Sequence, residues 1–310
     1  MSSGSGQVTT GMDALSTSGL LDILKHHTPS GHGSIQAIRK DFSMLYCSFQ
    51  HDRHAHQQPI LLSGTIPACW ISALQSRPDR TVLFFHGGGF SLGSTADHLG
   101  LCTRIAEEAE ARVISIDYRL APEHPFPIAI EDCINAYLSL IGKGIPAKRI
   151  ILAGISAGGT LALSTLLRAR ERDLPLPAAA VCMSPAVDMN FRGNSIHANQ
   201  ETDWVTPGRL EYIREVYLNG HNPSDPLASP IFADLSGLPP LYIQAGGNEV
   251  LIDGIQAFVA RAEDAKIEVQ FDCYDGMFHC WQVFADVVQE GVVAITRIGE
   301  YIQSRLIQNS

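Results

Sequence analysis

The chain has 310 residues, of which 45% are hydrophobic and 17% charged, with a formal net charge of −10. These proportions supply a sizeable apolar core and exclude an intrinsically disordered chain. The acidic balance, with lysines and arginines scattered, excludes the basic stripe of a nucleic-acid binder and disfavours docking on anionic membranes.

Residues 1–11 are rich in Ser, Gly and Thr and lack a basic start followed by an apolar stretch, so they read as a flexible tail and not a secretory signal. No window reaches the ~18–20 apolar residues that span a bilayer, and a soluble, cytoplasmic protein is expected. The seven cysteines are odd in number and show no CxxC or Cys/His ligand spacing. Buried free thiols in a reducing compartment are therefore expected, with no metal site. Cys280 stands out because it adjoins His279.

Residues 12–45 look helical and precede the first strands. Ile60–Leu62 and Ala68–Ile71 predict short early strands. Thr81–Phe85, Arg112–Ile116, Arg149–Ala153, Ala178–Met183, Leu241–Ala245 and Ile267–Phe271 follow. Most of these runs are apolar throughout, which suits strands covered on both faces of a parallel sheet. Helical spacing falls between them, at His98–Ala111, Pro127–Ile141, Ala157–Arg170, Asp253–Ala265 and Cys280–Leu306. The alternation predicts an α/β domain with a doubly wound sheet and right-handed crossovers over residues 46–310. Residues 188–225 interrupt this rhythm with polar sequence and scattered aromatics (Phe191, Trp204, Tyr212, Tyr217). Together with 12–45 they read as a helical cap over the sheet's C-terminal edge, with Leu21, Phe42, Trp204 and Tyr212 as candidate pocket residues.

Two motifs carry chemistry. Gly154-Ile155-Ser156-Ala157-Gly158 fits G-x-S-x-G and sits between a strand and a helix, the context a nucleophilic serine on a strained turn requires. Small residues beside the serine give that turn room. His86-Gly87-Gly88-Gly89-Phe90 follows the strand Thr81–Phe85. Three glycines in a row let backbone N–H groups turn inward, and those of Gly87 and Gly88, with that of Ala157, are expected to form an oxyanion hole. A phosphate-binding loop is disfavoured, because neither G-x-x-x-x-G-K-[ST] nor G-x-G-x-x-G with a following acid is present. His86 is expected to brace the loop by hydrogen bonding.

These motifs resemble those of the bacterial hormone-sensitive-lipase-type esterases, which share the α/β-hydrolase fold. The resemblance runs from about residue 35 to the end. It is carried by His86–Phe90, Asp117–Pro127, Gly154–Gly159, Ser184-Pro185, Asp225–Pro230, Glu249–Asp253 and Met277–His279. It implies a serine carboxylesterase acting on short-chain or small aryl and alkyl esters, with no cofactor and no metal, and a homodimer formed through the last strand. In many relatives an aromatic follows the Ser-Pro pair. Ala186 stands there in this chain, which is expected to widen one side of the pocket. Arg119 and Glu123 look like an ion pair bracing the loop beneath the site.

The triad order in this fold is serine, acid, histidine. His279, the last histidine, follows the strand Ile267–Phe271 and is the expected base. The acid should lie just past Leu241–Ala245, where Glu249 and Asp253 are candidates. The family pattern Asp-Pro-Leu-x-Asp, laid on Glu249–Asp253, puts Glu249 in the catalytic place, a departure from the usual aspartate. Asp253 stays as the alternative. A specialised hydrolase, lactonase or transacylase of a natural product is the alternative function. A catalytically silent receptor is disfavoured, because His279 is present in its motif.

Overall fold

In the computed structural model, which describes residues 16–27, 33–50 and 53–307, eight runs of the described residues pair into one sheet. They are β1 (His56–Leu62), β2 (Ile66–Ser72), β3 (Arg77–Phe85), β4 (Ala111–Ile116), β5 (Ile150–Ile155), β6 (Ala179–Met183), β7 (Leu241–Gly246) and β8 (Val269–Tyr274). Their spatial order is β1-β2-β4-β3-β5-β6-β7-β8. β2 runs antiparallel to β1 and β4, and every pair from β4 to β8 is parallel. The alternation of strand and helix predicts such an α/β sheet, and its order is the α/β-hydrolase architecture that the resemblance implies. β5, β6 and β7 are buried at every position, which is why they lack the alternating pattern of a half-exposed strand. The tail expected at residues 1–11 lies outside the described residues.

Helices cover the two faces: α3 (Leu99–Glu108), α4 (Ile128–Gly142), α5 (Ala157–Glu171), α8 (Ile252–Asp264) and α9 (Gln289–Ile307). Before the sheet come α1 (Thr17–His27) and α2 (Ile35–Cys47), the latter capped by Ser34, whose side chain accepts from the Ala37 N–H. The short α6 (Ser195–Ala198) and α7 (Pro207–Leu218) interrupt the path from β6 to β7. α7 starts with Thr206 as cap and Pro207 at its first position.

Three expectations fail. The helix predicted from Cys280 begins only at Gln289, because Cys280 is left-handed (φ 63°) and a 3₁₀ turn at Trp281–Phe284 drives Trp281 and Phe284 into the core. Arg119 does not pair with Glu123. Its guanidinium forks onto Asp132 of α4 (2.7 and 2.9 Å), whose side chain is only 5% exposed, while Glu123 faces α2 and receives both arms of Arg39 (2.7 and 2.9 Å). All seven cysteines are free, but Cys47 and Cys273 are exposed on α2 and on the edge strand β8.

The two ion pairs differ in what depends on them. Asp132 also accepts the Arg119 backbone N–H at 2.9 Å, so its removal strips a buried acceptor from three donors. Asp132→Ala is predicted to cost about 1–3 kcal/mol in urea unfolding. Glu123→Ala, which breaks a half-exposed pair, is predicted to cost less than about 1 kcal/mol.

Candidate active site

The site grows from one turn. At the end of β5 the backbone reverses through Ser156, held at φ 54° and ψ −120°, a conformation that L-residues rarely adopt. Space explains the flanking glycines. A Cβ on Gly154 would lie 2.1 Å from the Gly158 carbonyl oxygen, and one on Gly158 would lie 1.9 Å from that of Phe85. The Ser156 N–H donates to the Met183 carbonyl (2.8 Å), tying the turn to β6. α5 starts at Ala157, so its first N–H groups and positive dipole end face the Ser156 side chain.

Sheet register brings the other candidates alongside. Gly246 of β7 pairs with Tyr274 of β8, so the loops that follow run side by side. They carry Glu249, fully buried, and His279, 3% exposed. His279 Nδ1 lies 2.9 Å from Glu249 Oε2, and His279 Nε2 lies 2.9 Å from Ser156 Oγ. Burial disfavours the imidazolium, but the neighbouring Cys280 sulfur and the Glu249 carboxylate favour it, and the balance raises the His279 pKa above its ordinary value. Asp253 is elsewhere: its Oδ2 accepts the Ser195 N–H at 3.0 Å, anchoring the start of α6.

The glycine loop differs from expectation at one N–H. Gly87 donates to His98 Nε2 at 3.3 Å, while His98 Nδ1 sits 3.1 Å from the Ser94 carbonyl. Burial, helped by the adjacent His86, pushes the His98 pKa down to about 3, so this ring is neutral and its Nε2 can accept. The Gly87 N–H thereby has an acceptor within the protein. Gly88 (φ 121°) and Gly89 (φ 60°) follow in the left-handed region, and among the described residues no intramolecular acceptor takes their N–H groups or that of Ala157. His86 braces the loop as expected, with Nδ1 2.8 Å from the Gly87 carbonyl, and its own carbonyl accepts the Tyr118 hydroxyl at 2.8 Å.

A cleft opens over Ser156, the glycine loop and His279. Phe42 and Tyr46 from α2 line it, with Phe191, Trp204, Leu210 and Ile213 from the segment between β6 and β7. Ala186 and Cys280 also face it, whereas Leu21 and Tyr212 do not line it. Asp203 escaped sequence reading altogether. It is fully buried, and its two oxygens accept N–H groups from Trp204, Val250 and His279. Burial pushes its carboxyl up to about 6. Two of its three partners, Val250 and His279, are 47 and 76 residues away, a separation that no local pattern reveals.

Known proteins share this arrangement of chain. A family model described as the alpha/beta hydrolase fold matches residues 82–283. An acetyl-hydrolase of Streptomyces hygroscopicus is 39% identical over 247 residues, 79% of this chain and 82% of that protein. An esterase of Acinetobacter venetianus is 34% identical over 270 residues, 86% and 88% of the two chains. The crystal structure of an esterase from the bacterial hormone-sensitive lipase family superposes with a TM-score of 0.89 at 39% identity, covering 93% of this chain and 97% of that one.

The turn itself is testable. Gly158→Ala drives a methyl into backbone that cannot yield, and is predicted to cost at least about 3 kcal/mol or to abolish soluble expression. Gly208→Ala on α7, where a Cβ meets nothing within 4 Å, is predicted to be neutral or stabilising by up to about 1 kcal/mol. Thermal and urea unfolding of the two variants provide the comparison.

Proposed function

We propose that this chain, which belongs to the bacterial hormone-sensitive-lipase family of α/β-hydrolase-fold carboxylesterases, attacks its ester carbonyl with Ser156 and proceeds through an acyl-enzyme. The observation that carries this reading is the continuous run from Glu249 Oε2 through both His279 nitrogens to Ser156 Oγ, 2.9 Å at each contact. Glu249 holds the imidazole with its proton on Nδ1, leaving Nε2 to take the serine proton as Oγ attacks. The glutamate stabilises the imidazolium that forms, in a site dry enough for that interaction to matter. His279 then gives the proton to the departing alcohol. Water, deprotonated by the same nitrogen, releases the acid.

The tetrahedral oxyanion is received by the N–H groups of Gly88, Gly89 and Ala157. Gly87 drops out of the expected set because its N–H serves His98. Such a donor is typically worth about 3–4 kcal/mol of barrier. Of the cap expected at 12–45 and 188–225, α2 and the segment between β6 and β7 act as walls of the cleft. Rigid rings at Phe42, Tyr46 and Trp204 crowd the space over Ser156, which suits small acyl and aryl groups. The name of one sequence relative, an acetyl-hydrolase, agrees with a small acyl group.

With p-nitrophenyl esters from acetate to palmitate, turnover is predicted to be greatest on the short acyl chains. Ser156→Ala is predicted to lower kcat by at least about 10⁴-fold. Glu249→Ala should lower it by roughly 10²–10⁴-fold, and Asp253→Ala by less than about tenfold in folded protein. A larger loss from Asp253→Ala, or preference for palmitate, contradicts the reading.

A further inference from the structure

The segment from 195 to 204 is stitched to the two loops beneath it by hydrogen bonds at consecutive points. Ser195 Oγ donates to the Val250 carbonyl (2.7 Å), Asn199 Nδ2 to the Glu249 carbonyl (3.0 Å), and Thr202 Oγ1 to the Asn248 carbonyl (3.1 Å). Asp203 closes the seam. Its Oδ1 accepts the N–H groups of Trp204 (2.8 Å) and His279 (3.1 Å), and its Oδ2 accepts that of Val250 (2.9 Å). Trp204 Nε1 donates to the His279 carbonyl at 2.8 Å.

Two peptide positions are thereby gripped on both sides. The peptide unit joining Glu249 to Val250 has its C=O held by Asn199 and its N–H by Asp203. Residue 279 has its N–H held by Asp203 and its C=O by Trp204. One carboxylate in the segment that walls the cleft thus reaches the backbone of His279 and the peptide unit that follows Glu249.

We propose that Asp203 is the positioning residue of this site, clamping the Glu249 and His279 loops to the wall of the cleft so that acid and base align only while that wall is docked. The proposal rests on the reading of Glu249 and His279 as acid and base. Stability alone does not explain the group. A fully buried carboxylate is expensive unless paired with a cation, and no ion pair among the described residues involves Asp203. Burial pushes its carboxyl up to about 6, which reflects the penalty of keeping the charge in the interior. A neutral apolar side chain avoids this penalty. What it cannot do is accept three N–H groups from three segments at once. The ionisable groups facing Asp203 are His279 and Glu249, with Cys280 beside His279.

The test compares wild type with Asp203→Asn, an isostere that keeps one acceptor oxygen and loses the charge. Rates are normalised by titrating active sites with a serine-directed fluorophosphonate, so that unfolded protein is not counted. On a short-chain p-nitrophenyl ester, kcat per active site is predicted to fall about 10- to 100-fold with KM within about twofold. The acid limb of kcat/KM is predicted to move to lower pH by about half a unit, because a negative charge near the imidazolium is gone. An unchanged limb with unchanged kcat per titrated site leaves Asp203 a packing group and overturns the proposal. If Asp203→Asn does not fold, Asn199→Ala frees the other edge of the Glu249–Val250 unit and is predicted to lower kcat about 3- to 10-fold. No effect there overturns the proposal as well. Should wild type show no turnover that depends on Ser156, the catalytic reading fails on its own. The His279 ring titration followed by NMR, without substrate, then decides: a lower midpoint in Asp203→Asn supports the contact, and an identical midpoint overturns it.

Discussion

Everything at this site depends on how closely the turn after β5 approaches the end of β3. Phe85 and Gly154 are paired across the sheet, and Gly158 lies so near the Phe85 carbonyl that no side chain fits between them. That closeness sets the distance between the serine and the glycine loop, because the loop begins at the residue after Phe85. Buried parallel strands fix the approach to a fraction of a side chain's width, which surface loops alone cannot do. The strained backbone at Ser156 is therefore held by its surroundings: β6 takes its N–H and α5 starts at its next residue.

Around this turn the protein keeps polar groups dry and neutralises them selectively. His98 is held neutral, which makes it an acceptor for Gly87 and fixes how the following peptides face. His279 is held with raised proton affinity beside a fully buried glutamate. Glu249 spends one oxygen on His279, and its other oxygen has no partner among the described residues. Such groups weaken the fold locally, and the fully buried strands β5, β6 and β7 offset them. The site is thus a region where stability yields to chemistry, inside a scaffold with apolar surface to spare.

Much of this was legible in the sequence, for reasons that differ residue by residue. Strands buried on both faces betray themselves as unbroken apolar runs, so the sheet could be read almost strand by strand. The turn at Ser156 could be read because its steric demand falls on neighbours in sequence, Gly154 and Gly158. Glu249 and Asp253 could not be separated by position alone. Only the fold shows that one reaches His279 and the other the N–H of Ser195. The hydrogen bond of the Gly87 N–H has no local signature, because its acceptor, His98, is eleven residues away in a different element. Arg119 found Asp132 instead of Glu123 because α4 brings a buried carboxylate beneath it, and a pair of neighbouring opposite charges says nothing about which way each side chain turns. Asp203 carried no local signal. The start of α9 is hidden in the sequence because the apolar residues from Cys280 to Phe284 have helical spacing yet form a tight turn.

The central claim is that Ser156, and not the thiol of Cys280 in the same cleft, carries the acyl group. Acid-quenching the protein during turnover of p-nitrophenyl acetate, followed by intact mass and peptide mapping, tests it most directly. An acetyl group on the peptide containing Ser156, absent in Ser156→Ala, is the predicted result. Acetyl on the peptide containing Cys280, or turnover that persists in Ser156→Ala, would contradict it.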